Sequence, residues 1–197
     1  ATWGRGLLTP GWKDEVFLRG QVPMTKEEVR EVSICKLGLW ETAVVYDIGS
    51  GTGSIAMEVA ALSGGIRVFA IECDPEAGEL IRQNKERFGA ENVHVVRGMA
   101  PEAFDNLPAP THAFIGGSKG KMKEILNALY RKNPYVRIVA NMVSLEGIAQ
   151  MQEALRDYPV ADPEIVTVAV SRAKKAGAYH LMTANNPVTI FSFRFEE

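Results

Sequence analysis

The sequence of 197 residues has little cysteine, no long apolar run and almost no net charge. Cys35 and Cys73 lie far apart and form neither a CxxC nor a CxxH spacing, which indicates reduced thiols and disfavours a disulfide framework or a metal site. No apolar stretch reaches transmembrane length, and the first residues do not form a signal-peptide pattern. The formal net charge of −2 suggests no polyanionic partner. We therefore expect a cytoplasmic protein without a bound metal that acts on neither a membrane nor a nucleic acid.

The sequence does contain a regular alternation of strand and helix patterns. Short apolar runs predict buried strands, and apolar residues at helical spacing predict helices between most of them. The strands are expected at 43–48, 67–71, 93–96, 113–115, 136–140, 165–170 and 188–193, and the helices at 25–37, 54–62, 75–88, 121–130 and 145–155. This order predicts an α/β three-layer sandwich with a mostly parallel, seven-stranded sheet. Since no helical pattern separates the last two strands, the last strand should be antiparallel.

Two segments are expected to be irregular. Glycine and proline recur in residues 1–24, which predicts an irregular N-terminal segment. The run Thr25-Lys26-Glu27-Glu28 that follows is typical of a capping box, in which the Thr25 side chain caps the first helix. Residues 172–187 are expected to be a long loop that leaves a parallel strand at the carboxyl-end rim of the sheet, where open α/β sheets bind ligands.

A glycine-rich turn, Asp47-Ile48-Gly49-Ser50-Gly51-Thr52-Gly53, ends the first predicted strand. Glycine lets a ligand approach the backbone closely, and the following helix offers unpaired N–H groups and a partial positive charge. A dinucleotide-binding turn would require glycine at Ser54, and a phosphate-binding loop would require lysine after its glycines. The turn therefore predicts a nucleoside with an amino-acid tail, whose carboxylate lies at the start of the helix.

The ends of the second and third strands support a nucleoside ligand. Glu72 lies about twenty residues beyond the glycine turn, where a carboxylate accepts hydrogen bonds from a ribose diol. Asp74 precedes Pro75 and is better suited to cap the next helix. Met99 and Ala100 follow the third strand and offer an apolar surface for an adenine ring.

These three turns resemble those of the class I S-adenosylmethionine-dependent methyltransferases, whose fold is Rossmann-like. Other segments narrow the resemblance to the precorrin C15-methyltransferase (decarboxylating) family of cobalamin biosynthesis: Pro23-Met24-Thr25-Lys26-Glu27-Glu28-Val29-Arg30, the run 47–54, Phe114-Ile115-Gly116-Gly117-Ser118 and Asn186-Pro187-Val188. The similarity spans nearly the whole chain. The sequence departs from the family at Thr111-His112, where an Asp is common, and at Lys119, where a Gly is common. We expect both departures to affect the substrate mouth.

The resemblance implies S-adenosylmethionine as methyl donor, S-adenosylhomocysteine as product, and a homotetramer. By motif match it implies cofactor contacts from Thr25, Gly49, Ser50, Gly51, Thr52, Gly53, Glu72, Met99 and Ala100. The family includes free enzymes and the C-terminal half of a fused precorrin-6Y C5,15-methyltransferase. We expect one methyltransferase domain over residues 1–197, and a chain that begins with Ala1 suits the C-terminal half of such a fusion.

The resemblance also implies methyl transfer to C15 of a precorrin and removal of the carboxyl of its C12 acetate. The sulfonium is already a good leaving group, so the protein mainly aligns and desolvates the reactants, and we name no catalytic residue.

A substrate with many carboxylates predicts a locally basic mouth. Its candidates are Lys26, Arg30, Lys119, Lys121, Arg172, Lys174 and Lys175. The backbone N–H groups of Gly116, Gly117 and Ser118 could also bind a carboxylate. Tyr179 and His180, in the predicted loop, could line the pocket with flat rings.

Two other functions are compatible with the sequence. One is a class I methyltransferase for another small molecule or for RNA, although no basic face stands out. The fourth strand also lacks the Asn/Asp-Pro-Pro-Tyr/Phe signature of methylation on base amino groups. The other is a non-catalytic module on the same fold, which would bind the cofactor without methyl transfer. Both a cobalt-bearing and a cobalt-free precorrin fit the pattern.

Overall fold

The computed structural model describes residues 9–160 and 163–196, so the first eight residues of the predicted N-terminal segment lie outside it. Two short 3-10 helices, Asp14–Val16 and Glu102–Phe104, accompany the regular elements. The helices are α1 Glu27–Leu37, α2 Ser54–Leu62, α3 Pro75–Phe88, α4 Met122–Lys132 and α5 Leu145–Leu155. The strands are β1 Val44–Ile48, β2 Arg67–Glu72, β3 Val93–Arg97, β4 His112–Ile115, β5 Arg137–Met142, β6 Glu164–Val168, β7 Ser171–Ala176, β8 Tyr179–Ala184 and β9 Val188–Arg194.

Seven strands form one sheet in the order β3-β2-β1-β4-β5-β9-β6. The first five strands pair in parallel, and β9 lies antiparallel between β5 and β6. α1, α2 and α3 pack on one face, and α4 and α5 pack on the other. The predicted three-layer sandwich and its antiparallel last strand are therefore confirmed. The winding reverses between β1 and β4, which is the position where such sheets bind ligands.

The central strands are apolar because helices cover both of their faces. β1 is buried at all five positions, and β4 at all four. α4 turns the apolar side chains of Met122, Ile125, Leu126 and Leu129 toward the sheet. None of the helices in the described part of the chain is long and apolar enough to cross a membrane.

The start of α1 differs from the prediction. The helix begins at Glu27, Lys26 is its N-cap, and no side chain caps it, so the predicted capping box at Thr25 is wrong. Glu28, which should reach back to the helix start, forms an ion pair with Arg172 at 2.7 Å. A partner that is distant in sequence has displaced the local capping interaction, as tertiary contacts commonly do.

Residues 172–187 do not form the predicted loop. β7 and β8 form an antiparallel hairpin that is separate from the main sheet. Arg172 is half-buried and the other positions of both strands are exposed, so the apolar–polar alternation that predicts a half-buried strand is missing. Ion pairs from Arg172 to Glu27 and Glu28, at 2.9 and 2.7 Å, connect the hairpin to α1. β6 runs parallel to β5, because β9 is antiparallel to both strands. The expectation that the segment after β6 starts at the carboxyl rim of the sheet is therefore confirmed.

Candidate functional site

A cavity of 780 Å³ lies at the carboxyl ends of the parallel strands. The turns after β1, β2, β3, β4 and β5 all contribute to its wall, which confirms the predicted rim. Residues 21–26 of the N-terminal segment form another part of the wall, and the base of the β7–β8 hairpin completes it. A cavity of this volume is typical for one drug-sized ligand.

The glycine turn packs tightly against its neighbours. Gly49 and Gly51 have φ values of 68° and 57°, a region that favours glycine. A Cβ atom on Gly49 would lie 2.7 Å from the carbonyl oxygen of Gly117, and one on Gly51 would lie 2.9 Å from that of Pro23. Glycine is therefore required because the β4 turn and the N-terminal segment both touch the backbone here.

Glu72 fixes the shape of the same turn. Its carboxylate accepts hydrogen bonds from the backbone N–H groups of Gly51 at 2.9 Å, Cys73 at 2.8 Å and Asp74 at 2.9 Å. The side chain of Asp74 caps α3 by accepting from two N–H groups of the first turn, as predicted. Glu72 thus places an ordered negative charge in the cavity wall.

Asp47 is a second acid in this wall, and the sequence analysis assigned it no role. Its Oδ2 accepts hydrogen bonds from the Ser50 hydroxyl at 2.6 Å and the Ala56 N–H at 3.2 Å. Its Oδ1 is buried and has no hydrogen-bond partner among the described residues. Burial raises the pKa of Asp47 to about 7, although both hydrogen bonds act in the opposite direction. An acid within an otherwise apolar buried strand was the signal that could have revealed it.

The structure brings most of the predicted cofactor residues together. The cavity wall includes Thr25, Gly49, Ser50, Gly51, Glu72, Met99 and Ala100. Thr52 and Gly53 lie behind the wall. Thr52 is fully buried, and a Cβ atom on Gly53 would lie 3.2 Å from Ile81 of α3. Their direct contact with a cofactor, like that of the other seven residues, stays a prediction.

The predicted substrate residues fall into two groups. Gly117, Ser118 and Lys119 line the cavity. Tyr179 and His180 lie on β8 and do not line it, and Tyr179 is 74% exposed. Lys174 and Lys175 lie on exposed β7 and are also outside the wall. The hairpin contributes its base instead, through Val170, Asn185 and Asn186.

Two of the three N–H groups predicted to bind a carboxylate are already used. The N–H groups of Gly116 and Gly117 both donate to the carbonyl oxygen of Ile48, at 2.9 and 3.4 Å. The expectation that they bind a carboxylate is therefore wrong for Gly116, and it stays a prediction for Gly117, whose bond of 3.4 Å is long. Within the described chain, the N–H of Ser118 makes no such backbone bond.

Arg30 lies in the interior, so its predicted place at a basic mouth is wrong. Its guanidinium pairs with Glu58, which is also fully buried, and with Asp14 at 3.0 Å. It also donates to the carbonyl oxygens of Trp12 and of Thr25, the latter at 2.5 Å. Arg30 thus ties the N-terminal segment to α1 and α2.

Lys119 is the predicted cation with the strongest case at the mouth. Lys121 pairs with Glu102 at 2.7 Å, and Arg172 pairs with the acids of α1. Lys119 lines the cavity, is exposed, and has no ion-pair partner within residues 9–160 and 163–196. Its φ of 49° is the left-handed conformation that favours glycine, which agrees with the glycine expected here from the family resemblance.

The other departure from the family, Thr111-His112, lies away from the cavity. His112 begins β4, so Thr111-His112 lies at the amino end of that strand, opposite the cavity. The Thr111 hydroxyl is 2.8 Å from His112 Nδ1, and Trp40 packs edge-on against the imidazole. The expectation that this departure affects the substrate mouth is therefore wrong.

Asn141 is a wall residue that the sequence analysis missed. It lies on β5 and exchanges hydrogen bonds of 3.0 and 3.1 Å with the Ser33 hydroxyl of α1. A polar residue at the end of an apolar strand was the available signal. The described residues contain no cluster of three or more His, Cys, Asp or Glu side chains that could hold a metal ion.

Comparisons with known proteins identify the family of this chain. Residues 15–194 match the family described as "Precorrin methyltransferase domain". A relative from Pyrobaculum calidifontis, named "Probable cobalt-precorrin-6B C(15)-methyltransferase (decarboxylating)", is 42% identical over 97% of this chain and 98% of its own length. The cobalt-precorrin-6B C(15)-methyltransferase (decarboxylating) of Salmonella typhimurium is 33% identical to this chain. The match covers 94% of this chain and 96% of that protein.

A solved structure gives the same result for the fold. The crystal structure of precorrin-6Y C5,15-methyltransferase from Geobacter metallireducens superposes with a TM-score of 0.89 at 35% identity. The match covers 95% of this chain and 99% of that one. The chain therefore belongs to the precorrin methyltransferase family and has its Rossmann-like class I methyltransferase fold.

Proposed function

We propose that this protein is an S-adenosylmethionine-dependent C-methyltransferase of cobalamin biosynthesis. It methylates C15 of a precorrin of the precorrin-6B type and removes the carboxyl of the C12 acetate. The names of relatives matched over nearly their whole length supply methylation at C15 and a decarboxylation, and the family resemblance implies that the carboxyl lost is that of the C12 acetate. The observation in this chain that supports it most is a single cavity that joins the glycine turn, Glu72 and the Gly116-Gly117 turn.

The cavity residues fit S-adenosylmethionine. The backbone of Gly49 and Gly51 carries no side chain that would hinder a ligand, and the ordered carboxylate of Glu72 can accept hydrogen bonds from a ribose diol. Met99 and Ala100 supply an apolar surface for adenine. Asp47 Oδ1 is an acceptor without a partner and suits the ammonium of the amino-acid tail. When bound, this cofactor supplies a methyl group on a sulfonium, which is a good leaving group.

The residues of the chain then act mainly by alignment and by exclusion of water. The N-terminal segment and the hairpin base enclose the cavity on two sides. Lys119 and the Ser118 N–H suit the carboxylates of a polyacidic substrate. Alignment of this kind can supply on the order of 7–11 kcal/mol of a barrier. A carbon nucleophile of the enamine type requires no side-chain base.

We further propose a cytoplasmic homotetramer in which residues 1–197 form one methyltransferase domain that binds no nucleic acid. The exposed β7–β8 hairpin supports self-association, because Tyr179, Leu181 and Met182 present apolar surface to solvent. Sedimentation equilibrium should give the mass of four chains. The double variant Leu181→Asp/Met182→Asp should give a smaller species, and an unchanged mass would contradict a role for the hairpin.

The reaction is tested by incubating the protein with methyl-labelled S-adenosylmethionine and, separately, with cobalt-precorrin-6B and its metal-free counterpart. Mass spectrometry of the product should show the gain of one CH₂ and the loss of one CO₂. Calorimetric binding of S-adenosylhomocysteine without transfer to either substrate would favour the non-catalytic module. Label in RNA or in another small molecule would favour the alternative methyltransferases.

A further inference from the structure

Two apolar side chains stand out next to the cavity. Val143 and Leu145 are 76% and 81% exposed, which makes them the most exposed large apolar residues in the described part of the chain. Val143 lines the cavity, and Leu145 begins α5 immediately after the turn that follows β5. Burial of an aliphatic side chain is favourable, so both side chains could gain stability by packing against an apolar ligand.

The turn that carries them is rigidly held. The Ser144 hydroxyl accepts a hydrogen bond from the Gly147 N–H at 3.0 Å and caps α5. The Ser144 carbonyl accepts from the Ile148 N–H at 3.1 Å. A Cβ atom on Gly147 would lie 3.2 Å from Met142 Sδ, so the first turn of the helix packs closely against the end of β5. Val143 and Leu145 are therefore presented to solvent by an ordered backbone.

The cavity is not large enough to enclose the cofactor and a whole tetrapyrrole together. Its 780 Å³ lies in the range of pockets that take one drug-sized ligand. A tetrapyrrole is considerably larger. Its ring must therefore rest on the surface around the mouth, with only the reacting edge directed inward.

The mouth has the two chemical features that such a ring requires. Ile115 of β4 pairs with Ala140 of β5, so the turns that follow these strands are neighbours. One turn carries the ammonium of Lys119, which has no ion-pair partner among the residues that the structure describes, and the other carries Val143 and Leu145. A flat apolar ring with carboxylates at its periphery matches a cation beside an apolar surface.

We propose that Val143 and Leu145, named here the mouth wall, form the surface on which one face of the tetrapyrrole ring packs. This rests on the proposed function and adds two substrate-binding residues to it. It also assigns the ring to the β5 turn, which contributes Val143 to the cavity wall, rather than to Tyr179 and His180 on β8, a strand that contributes no lining residue.

The test is a double variant, Val143→Thr/Leu145→Asn, which keeps approximate shape and removes apolar surface at exposed positions. The KM for cobalt-precorrin-6B should rise at least tenfold. The Kd for S-adenosylhomocysteine and the Tm should stay at the wild-type values. Ile165→Thr is the matched control, since Ile165 is 47% exposed on β6 and lies outside the cavity wall. Its KM should be unchanged.

A binding measurement that does not depend on methyl transfer tests the mouth wall separately from the proposed reaction. Fluorescence titration with uroporphyrin, a stable porphyrin octacarboxylate, should show at least tenfold weaker binding for the double variant in the presence of S-adenosylhomocysteine. If the wild type transfers no methyl group while the double variant still binds the porphyrin more weakly, that result would refute the proposed reaction and support the mouth wall as a binding surface. If the double variant matches the wild type in both KM and porphyrin binding, the mouth wall is refuted.

Discussion

The two sides of the cavity are built in opposite ways. On the β1–β2 side, Asp47 and Glu72 are buried, and each accepts two or more hydrogen bonds. On the β4–β5 side, Lys119, Val143 and Leu145 are exposed and lie on or directly after turns between strands and helices. The first side is preorganised for one small ligand, and a misplaced atom there costs stability. The second side offers surface to a large ligand, so changes there should alter substrate binding and leave folding intact.

The largest effect is expected from Asp47→Asn. Burial raises the pKa of Asp47 from 3.8 to about 7. Between these values the native protein holds a proton that the unfolded chain has released, so the free energy of unfolding falls as pH rises through this window and levels off above it. The neutral variant avoids this penalty. It should be more stable than the wild type by on the order of 4 kcal/mol at pH 8 and equally stable near pH 4.

Chemical denaturation across this pH range measures the difference. Asp105→Asn, at an exposed position, is the control and should follow the wild-type profile. Calorimetry with S-adenosylhomocysteine should show weaker binding for Asp47→Asn despite its higher stability. A constant stability difference between pH 4 and pH 8 would show that the Asp47 charge is not what destabilises this side.

Gly49→Ala should come next in size. The new methyl group would lie 2.7–2.9 Å from three backbone atoms of Gly117, in a backbone conformation that disfavours alanine. We expect a loss of about 1–3 kcal/mol in the free energy of unfolding and of S-adenosylhomocysteine binding. Gly64→Ala is the control, because a Cβ atom there meets nothing within 4 Å. Equal Tm values for Gly49→Ala and Gly64→Ala would mean that the turn after β1 does not pack tightly against the turn after β4.

Glu72→Gln should have a smaller effect. Both carboxylate oxygens of Glu72 accept from backbone N–H groups, and glutamine keeps only one acceptor oxygen, so at least one N–H group loses its partner and the Tm should fall modestly. Loss of the charge should weaken S-adenosylhomocysteine binding about tenfold, because hydrogen bonds to a charged group are roughly twice as strong as neutral ones. Glu91→Gln, at an exposed position, should bind as the wild type does. Unchanged affinity in Glu72→Gln would remove Glu72 from the ribose-binding role.

Lys119→Gly should have the smallest effect and the opposite sign in stability. Glycine adopts φ of 49° without the penalty of about 1 kcal/mol that other residues incur, so the Tm should rise slightly. Loss of the ammonium should raise the KM for the precorrin several-fold and leave kcat unchanged. Lys119→Ala separates the two effects, since it removes the charge and keeps the strained backbone. A rise in KM for the glycine variant alone would assign the effect to the backbone.

The β1–β2 side could be predicted from the sequence because its signals are local. The glycine spacing, the acid at the end of β2 and the cap at Asp74 can each be recognised from a few consecutive residues. The strand and helix order followed from apolar periodicity in the same way. The contacts that these residues make, such as the hydrogen bond from the Gly51 N–H to Glu72, then reach across the fold.

Other features depend on partners that are distant in the chain. The sequence predicts that Arg30 is an exposed cation on a helix. No residue close to it in sequence indicates that it forms buried ion pairs with Asp14 and Glu58. The N–H groups of Gly116 and Gly117 are taken by Ile48 through the pairing of β1 with β4. The hairpin was missed because exposed strands lack the periodicity that marks buried ones.

The burial of Arg30 has a consequence for the order of events in catalysis. The fully buried guanidinium of Arg30 connects the N-terminal segment, which forms one wall of the cavity, to α1 and α2. Removing one partner of a buried ion pair costs several kcal/mol, so this wall should stay in place. On the function and the mouth wall proposed above, a macrocycle bound beside Lys119 and Val143 would cover the cofactor. We therefore expect the methyl donor to bind before the acceptor and S-adenosylhomocysteine to leave last.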